Sequence, residues 1–375
     1  MITYKYKLYK TERTKHLDKM LREASFVWNH ALSLQKRYYS LYGGYISVNK
    51  MQKHFSVRLK PKLLHSQSVQ EILQRLDTSY QRFFKKISTR PPKFKRAKDF
   101  TSFVFKQGGY TLNGNVLTIN KSNKRYKFSK SRDYEGKIKR IVVKRSKLND
   151  YYVIITTDNN PNTYEKTHNG SSVGIDWGLK TYLTMSDGAS FNNPQFLKED
   201  LTKLRRKSRL LSKTKKKSNN REKRRLELCR LHESIQNKRN DYQWKLAHEL
   251  CRKYDYIFIE DLSLTGMTKL WGRKMNDLAH ASFISKLQYV ATKYGVKVHK
   301  IDRWFASSKT CECGYVNSSL TLSDREWKCP ECGLINDRDV LAANNILRRG
   351  ISELWSEDKT AWAAPHVCTQ ESPCL

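Results

Sequence analysis

Three carboxylate sites stand at the ends of elements that are far apart in the chain: Asp176, the pair Glu260-Asp261, and the Asp337-Arg338-Asp339 run. Asp176 closes the apolar run Val173-Gly174-Ile175-Asp176-Trp177-Gly178, and a second run, Tyr182-Leu183-Thr184-Met185, with a turn at Ser186-Asp187-Gly188, continues it as paired strands. Gly174 and Gly178 leave room beside the acid. Tyr256-Ile257-Phe258-Ile259 reads as a buried strand ending on Glu260, and Leu341-Ala342-Ala343-Asn344-Asn345-Ile346 reads as a helix opened by the third acidic site. A lone acid after a strand is ordinarily a turn residue. Carboxylates converging from separate elements can instead hold two divalent ions about 4 Å apart, one activating water and the other stabilising a leaving oxygen. Ligand sets made only of oxygen favour magnesium or manganese.

A second constellation is sulfur. Cys329-Pro330-Glu331-Cys332-Gly333 has the spacing that lets two thiolates reach one tetrahedral zinc at about 2.3 Å, whereas Cys311-Glu312-Cys313-Gly314 is one residue shorter. The short pair can still chelate with altered geometry, and the alternative is a degraded ribbon. Four of the eight cysteines lie between Cys311 and Cys332, which reads as a metal site in a reducing compartment. Cys229, Cys251, Cys368 and Cys374 lack such spacing and read as core or tail thiols.

The chain that must position these groups has 73 Lys plus Arg against 35 Asp plus Glu, a net charge of +38 that makes nucleic acid the expected partner. A purely structural basic protein would leave the carboxylate sites and buried strands unexplained. The absence of an apolar signal core and of any long uncharged apolar run predicts a soluble, cytoplasmic protein with no membrane partner. Ile2 to Tyr9 alternates as a basic strand, and Leu17, Met20, Leu21, Ala24, Val27, Trp28, Ala31 and Leu32 fall on one helical face. Val69 to Ile87 repeats the helical period up to Pro91-Pro92, after which short alternating runs to Thr156 predict a small β-barrel that the opening strand joins. Asn159 to Ser172 is the best linker. Beyond it, Lys203 to Arg225 is dominated by Lys and Arg, with Glu222 its only acid, as either a solvated face or a phosphate track, and leads into a helix with Trp244, Ala247, Leu250, Cys251 and Tyr254 on one face. Asn276 to Tyr294 predicts another amphipathic helix before a strand at Val296.

The GIDWG and IFIEDL strands, the runs SSKTCECG and WKCPECG, and the ending DRDVLAANNI, in that order, resemble the TnpB proteins of insertion sequences. The resemblance is strongest from about Val173 to Ile346, and RPPKFKRAKDFTSFVF carries it into the N-terminal half. It implies an α/β fold: an RNase H-like (RuvC) nuclease domain with an inserted zinc ribbon, plus an N-terminal wedge-like β-barrel carrying an inserted helical lobe. The corresponding division is 1–11 first barrel strand, 12–90 helical recognition lobe, 91–160 remaining barrel and 161–171 linker. Then come 172–306 nuclease, 307–334 ribbon that binds target nucleic acid, 335–350 last nuclease part and 351–375 tail.

The resemblance also assigns Asp176, Glu260 and Asp339 as catalytic ligands of two magnesium or manganese ions, leaving Asp337 as a cap or turn residue. It assigns Cys311, Cys313, Cys329 and Cys332 to zinc. The Cys311/Cys313 spacing departs from the family pattern, as does Leu341, where the family usually has Asn. The implied activity is metal-dependent, RNA-guided cleavage of double-stranded DNA by a transposon-encoded monomer in a prokaryotic cell, associated with the nucleoid when on DNA. Its guide RNA would derive from the transposon end. Two other readings stay open: a nuclease-inactive, RNA-guided DNA-binding regulator and a strand-joining transposase.

Overall fold

Tyr4, Tyr6 and Leu8 alternate with exposed lysines in β1 (Ile2–Leu8), and the change to a helical period at Thr14 produces α1 (Thr14–Tyr42), whose eight expected apolar positions are all buried. The structure is a computed structural model, and it describes residues 1–159, 170–262, 266, 272, 277–321 and 324–357. Most of the expected linker lies outside the described residues. The chain divides into two compact units, Met1–Pro161 and Asn162–Leu375.

In the first unit α2 (Val48–His54) and α3 (Ser66–Phe84) follow α1, and then β2 (Ser102–Phe105), β3 (Tyr110–Asn113), β4 (Val116–Ile119), β5 (Lys124–Ser129), β6 (Ile138–Arg145) and β7 (Tyr151–Thr157). With β1 they form one sheet in the order β2-β6-β7-β1-β5-β4-β3. Because β1 lies inside the sheet, the helices are an insertion between its first and second strands. Helices and sheet share one apolar core, which joins Leu17, Trp28, Ile72 and Leu76 to Tyr6, Phe103, Phe128 and Ile155. The expected barrel is a nearly closed sheet with β2 and β3 as its edges. At that seam α3 takes the hydrogen bonds: Gln67 Oε1 accepts the N–H groups of Gln107 and Gly108, each at 2.9 Å, and Ser68 Oγ donates to Val104 O.

The second unit contains β8 (Ser172–Asp176), β9 (Thr181–Met185), β10 (Ser190–Asn192), α4 (Phe196–Glu199), α5 (Leu201–Ser212), α6 (Asn219–Lys253) and β11 (Tyr256–Glu260). It continues with α7 (His280–Tyr294), β12 (Lys297–Ile301), β13 (Glu326–Lys328), β14 (Ile335–Asp337) and α8 (Arg338–Glu357). The main sheet runs β10-β9-β8-β11-β12, with β8, β11 and β12 parallel. Its central strands are covered on both faces, which is why they are apolar throughout. Ile257 and Ile259 pack with Leu246, Leu250, Phe283 and Leu287 of α6 and α7, while Phe258 packs with Ile346 and Leu354 of α8.

Three details differ from the sequence expectation. Trp244 is half exposed, and fully buried Gln243 takes the inward position, its amide N–H groups donating to Tyr182 Oη and Leu278 O. The helix expected from Asn276 is broken at Ala279: Asp277 and Leu278 are helical, Ala279 is in a left-handed conformation, and α7 begins at His280. Finally, α8 continues to Glu357, into the segment read as a tail, because Ile351 and Leu354 extend its apolar face.

α8 reaches its strands through two glycines. A methyl group on Gly174 would overlap the Ala343 carbonyl and stand 2.6 Å from Leu347 N, and one on Gly350 would overlap the Phe258 ring. Gly174→Ala is therefore expected to destabilise the second unit by about 3 kcal/mol, since backbone must move to admit it. Urea unfolding followed by circular dichroism measures this, and an unchanged midpoint would show that α8 is not seated on Gly174.

Candidate active site

Parallel pairing of Ile175 with Ile259 brings Asp176 and Glu260 out of the sheet at the ends of adjacent strands. Asp339 lies one helical turn before Ala343, whose carbonyl meets Gly174, so the close α8–β8 contact carries this third carboxylate to the same end. The electrostatics report the convergence. Burial, and then the Asp339 charge, raise Asp176 to about 6; burial, and then the Asp176 charge, raise Glu260 to about 7.

The neighbouring acids are occupied differently. Asp261 is held below the usual carboxylate range by hydrogen bonding to Arg303 and Lys300. Asp337 Oδ1 accepts the N–H groups of Asp339 and Val340, both at 3.0 Å, and thereby caps α8. Asp339 itself is ion-paired with Arg325, the residue preceding β13.

Arg325 offsets one of the three carboxylate charges, and the oxygen-only donor set of Asp176, Glu260 and Asp339 fits divalent magnesium or manganese. The raised values give a pH signature. The protons of Asp176 and Glu260 are lost in the folded chain as pH rises through about 6 and about 7, so the cost of ionising them, from burial and then from the neighbouring charge, builds up between the ordinary carboxylate range and that window and stays at its full size above it. A bound cation removes the penalty. Added magnesium should therefore raise Tm more at roughly pH 8 than at roughly pH 5.5, with the difference abolished in Asp176→Asn/Glu260→Gln. Equal shifts at both pH values would separate the cluster from metal binding.

The cysteine sulfurs of residues 311, 313, 329 and 332 all lie within 4.8 Å of one another, with Cys311–Cys332 and Cys313–Cys329 at 3.6 Å. A tetrahedral ion with 2.3 Å bonds places its sulfurs about 3.8 Å apart, so these four thiols can hold one ion. The short spacing is absorbed in the turn: Gly314 N–H donates to Cys311 O, three residues back, whereas Gly333 N–H donates to Cys329 O, four back. Backbone N–H groups of Cys313, Tyr315 and Leu334 face the sulfurs of Cys311, Cys313 and Cys332; Cys311 is lowered to about 7, whereas burial and the neighbouring thiols push Cys313 up to about 12 and raise Cys332, so the four are not thiolates together without a cation.

Sequence reasoning missed three supporting residues. Arg325 lies in an unremarkable polar stretch, and only the fold brings it to Asp339. Buried Asn345 donates to Ser307 O at 2.8 Å and Thr310 O at 2.6 Å, tying the ribbon's entry to α8. Leu341, noted only as irregular, packs with Cys311, Cys329, Trp327 and Leu320 in the ribbon's apolar cluster. A polar residue inside an otherwise apolar helix face was the available signal for Asn345.

Comparison with known proteins gives a consistent picture. The family model described as "Probable transposase" matches residues 151–270, and the one described as "Cas12f1-like, TNB domain" matches residues 280–346. A Streptomyces pristinaespiralis protein named "Putative RNA-guided DNA endonuclease" is 31% identical over 363 residues, covering 93% of this chain and 89% of its own length. An Escherichia coli (strain K12) protein, "Putative RNA-guided DNA endonuclease InsQ", is 28% identical, covering 87% of this chain and 86% of its own. Among solved structures, one titled "Cryo-EM structure of the Cas12f1-sgRNA-target DNA complex" shares the fold at TM-score 0.60 and 15% identity, covering 90% of this chain and 83% of that one. With family matches in both halves of its second unit and a relative aligned along nearly its whole length, the chain belongs to the TnpB family.

Proposed function

We propose that the protein is an RNA-guided endonuclease that hydrolyses phosphodiester bonds of double-stranded DNA. Asp176, Glu260 and Asp339 would hold two magnesium ions in a RuvC-like arrangement, and Cys311, Cys313, Cys329 and Cys332 would hold one zinc. The observation carrying this reading is geometric: the parallel register of β8 with β11 and the close seat of α8 on Gly174 bring carboxylates from three separate elements towards one strand end. Bound there, the two ions would activate water and stabilise the leaving oxygen.

The chain's own groups complete the chemistry. Asp176 feels the Asp339 charge and its own charge is felt by Glu260, so it would be the central group of the three that hold the metal, and Glu260 would have to be ionised to serve as a ligand. Arg325, paired with Asp339, brings to the site a guanidinium that could also bond a phosphate oxygen. The exposed Arg205, Arg206 and Arg209 of α5, with Lys215, Lys216 and Lys217 beyond it, would serve as the phosphate track.

An RNA guide accounts for a +38 charge spread over both units, because guide and target together form a larger polyanion than DNA alone. Protein produced with its flanking transposon-end transcript should cut DNA matching the transcript's 3′ segment, and exchanging that segment should redirect the cut. Cutting at a fixed site whatever RNA is supplied would replace this reading with a conventional nuclease. Sequence-directed binding without cutting would leave the regulator, and joining of transposon ends would leave the transposase.

A further inference from the structure

Trp304 is 85% exposed, more than any other large apolar side chain of the described residues. Leaving an indole in water forgoes the burial that normally makes Trp a core residue. Its loop is nevertheless well held. The Trp304 N–H donates to Asp302 Oδ1 at 3.2 Å, Phe305 N–H donates to Asp302 O at 3.3 Å, and Ser307 N–H donates to Phe305 O at 2.9 Å. Arg303 before it is ion-paired with Asp261, and Phe305 after it packs on the α8 side of the sheet, with the Arg349 guanidinium 5.8 Å from its ring centroid. Its two neighbours are fastened inward while the indole between them points to solvent.

The location gives the ring a use. Glu260 pairs in register with Ile301, so the loop leaves β12 at the strand end where the carboxylates lie. Trp304 is three residues beyond Ile301, which puts its Cα at most about 11 Å from that of Ile301, itself about 5 Å from Glu260 across the ladder. That is a separation of a few nucleotides along a strand. Only an unpaired base offers a free face to an aromatic ring, since in a duplex both faces are stacked.

We propose that Trp304 stacks on an unpaired base of a DNA strand that guide pairing has separated from its duplex, and so positions that strand at the carboxylate site. The inference rests on the nuclease reading, and what it adds is a residue that positions the strand there. Trp304 is a positioning residue, because it touches the substrate away from the reacting phosphodiester.

The test compares wild type, Trp304→Ala and Trp304→Phe as full chains bound to their RNA. A short single-stranded oligonucleotide with 2-aminopurine walked along it is bound with calcium replacing magnesium, so that affinity is read without cutting. The expected result is about 5- to 100-fold weaker binding by Trp304→Ala, the range for loss of one base stack, with Trp304→Phe retaining most of the affinity. One 2-aminopurine position should be quenched in wild type and unquenched in Trp304→Ala. Cleavage by Trp304→Ala should show raised KM with kcat little changed. Unchanged zinc content and Tm would establish that the fold is intact. Affinity within twofold of wild type, or a loss seen for the guide RNA and not for the DNA strand, would overturn the inference. A wild type that never cuts would defeat the nuclease reading instead, and the binding comparison would still decide whether Trp304 stacks on single strands.

Discussion

Asp176→Ala is expected to lower DNA cleavage by at least about a thousandfold while leaving guide and target binding within a few-fold of wild type. The magnitude follows from losing several kcal/mol of metal-dependent transition-state stabilisation. Asp176 is the ligand whose loss should matter most, since its charge is felt by Glu260 and it feels that of Asp339 in turn. Single replacement of Glu260 or Asp339 should also abolish cutting, because ligation is collective. Asp337→Ala separates the two neighbouring acids: it removes an N-cap, costing about 1 kcal/mol of stability, and should leave cutting largely intact. Single-turnover cleavage alongside filter binding measures all four. Robust cutting by Asp339→Ala with loss in Asp337→Ala would reverse the assignment, and cutting by Asp176→Ala would end the two-metal mechanism. Asp176→Ala should also raise the metal-free Tm above neutral pH, because it removes a carboxylate that burial makes costly to ionise and, with it, the charge that adds to burial in raising Glu260.

How far the sequence revealed these groups depends on how each one is positioned. Strand-end carboxylates and the buried face of α1 were legible because alternation and helical period are local properties, written in adjacent residues. Gln243 was not, since a polar side chain at the buried centre of α6 is tolerable only when distant partners, Tyr182 Oη and Leu278 O, satisfy it. Trp244 was assigned inward by the same logic run in reverse, its apolar bulk outweighing a phase error of one residue. The meaning of Leu341 required the ribbon to fold back upon α8, a long-range contact that helical spacing alone cannot encode. The Cys311/Cys313 spacing was legible as unusual, but its resolution by a turn one residue tighter needed backbone geometry.

Removing the ribbon's ion is expected to disable cleavage as fully as removing Asp176, although no sulfur belongs to the carboxylate cluster. Freshly purified protein should contain about one zinc per chain, because four thiols so close together are stable as thiolates only around a cation. The binding free energy of structural zinc, about 10–16 kcal/mol in small zinc peptides, far exceeds what Trp327, Leu320 and Leu341 could supply by burial alone. Chelation, or Cys329→Ser, should therefore unfold the ribbon. The damage then travels by two contacts: Leu341 loses its packing against the cysteines, and the Asn345 bonds to Ser307 and Thr310 lose their frame. Both residues lie on the first turns of α8, where Asp339 is held, and Arg325 approaches from the ribbon side of β13. Cys229→Ser, changing a thiol outside the cluster, should leave zinc content and cleavage at wild-type levels. Elemental analysis, hydrogen exchange across the 307–350 segment and a cleavage assay together test the chain of effects. Zinc-free protein that cuts normally would show that the ribbon does not support the active site, and zinc-loaded Cys329→Ser with wild-type exchange would remove Cys329 from the ligand set.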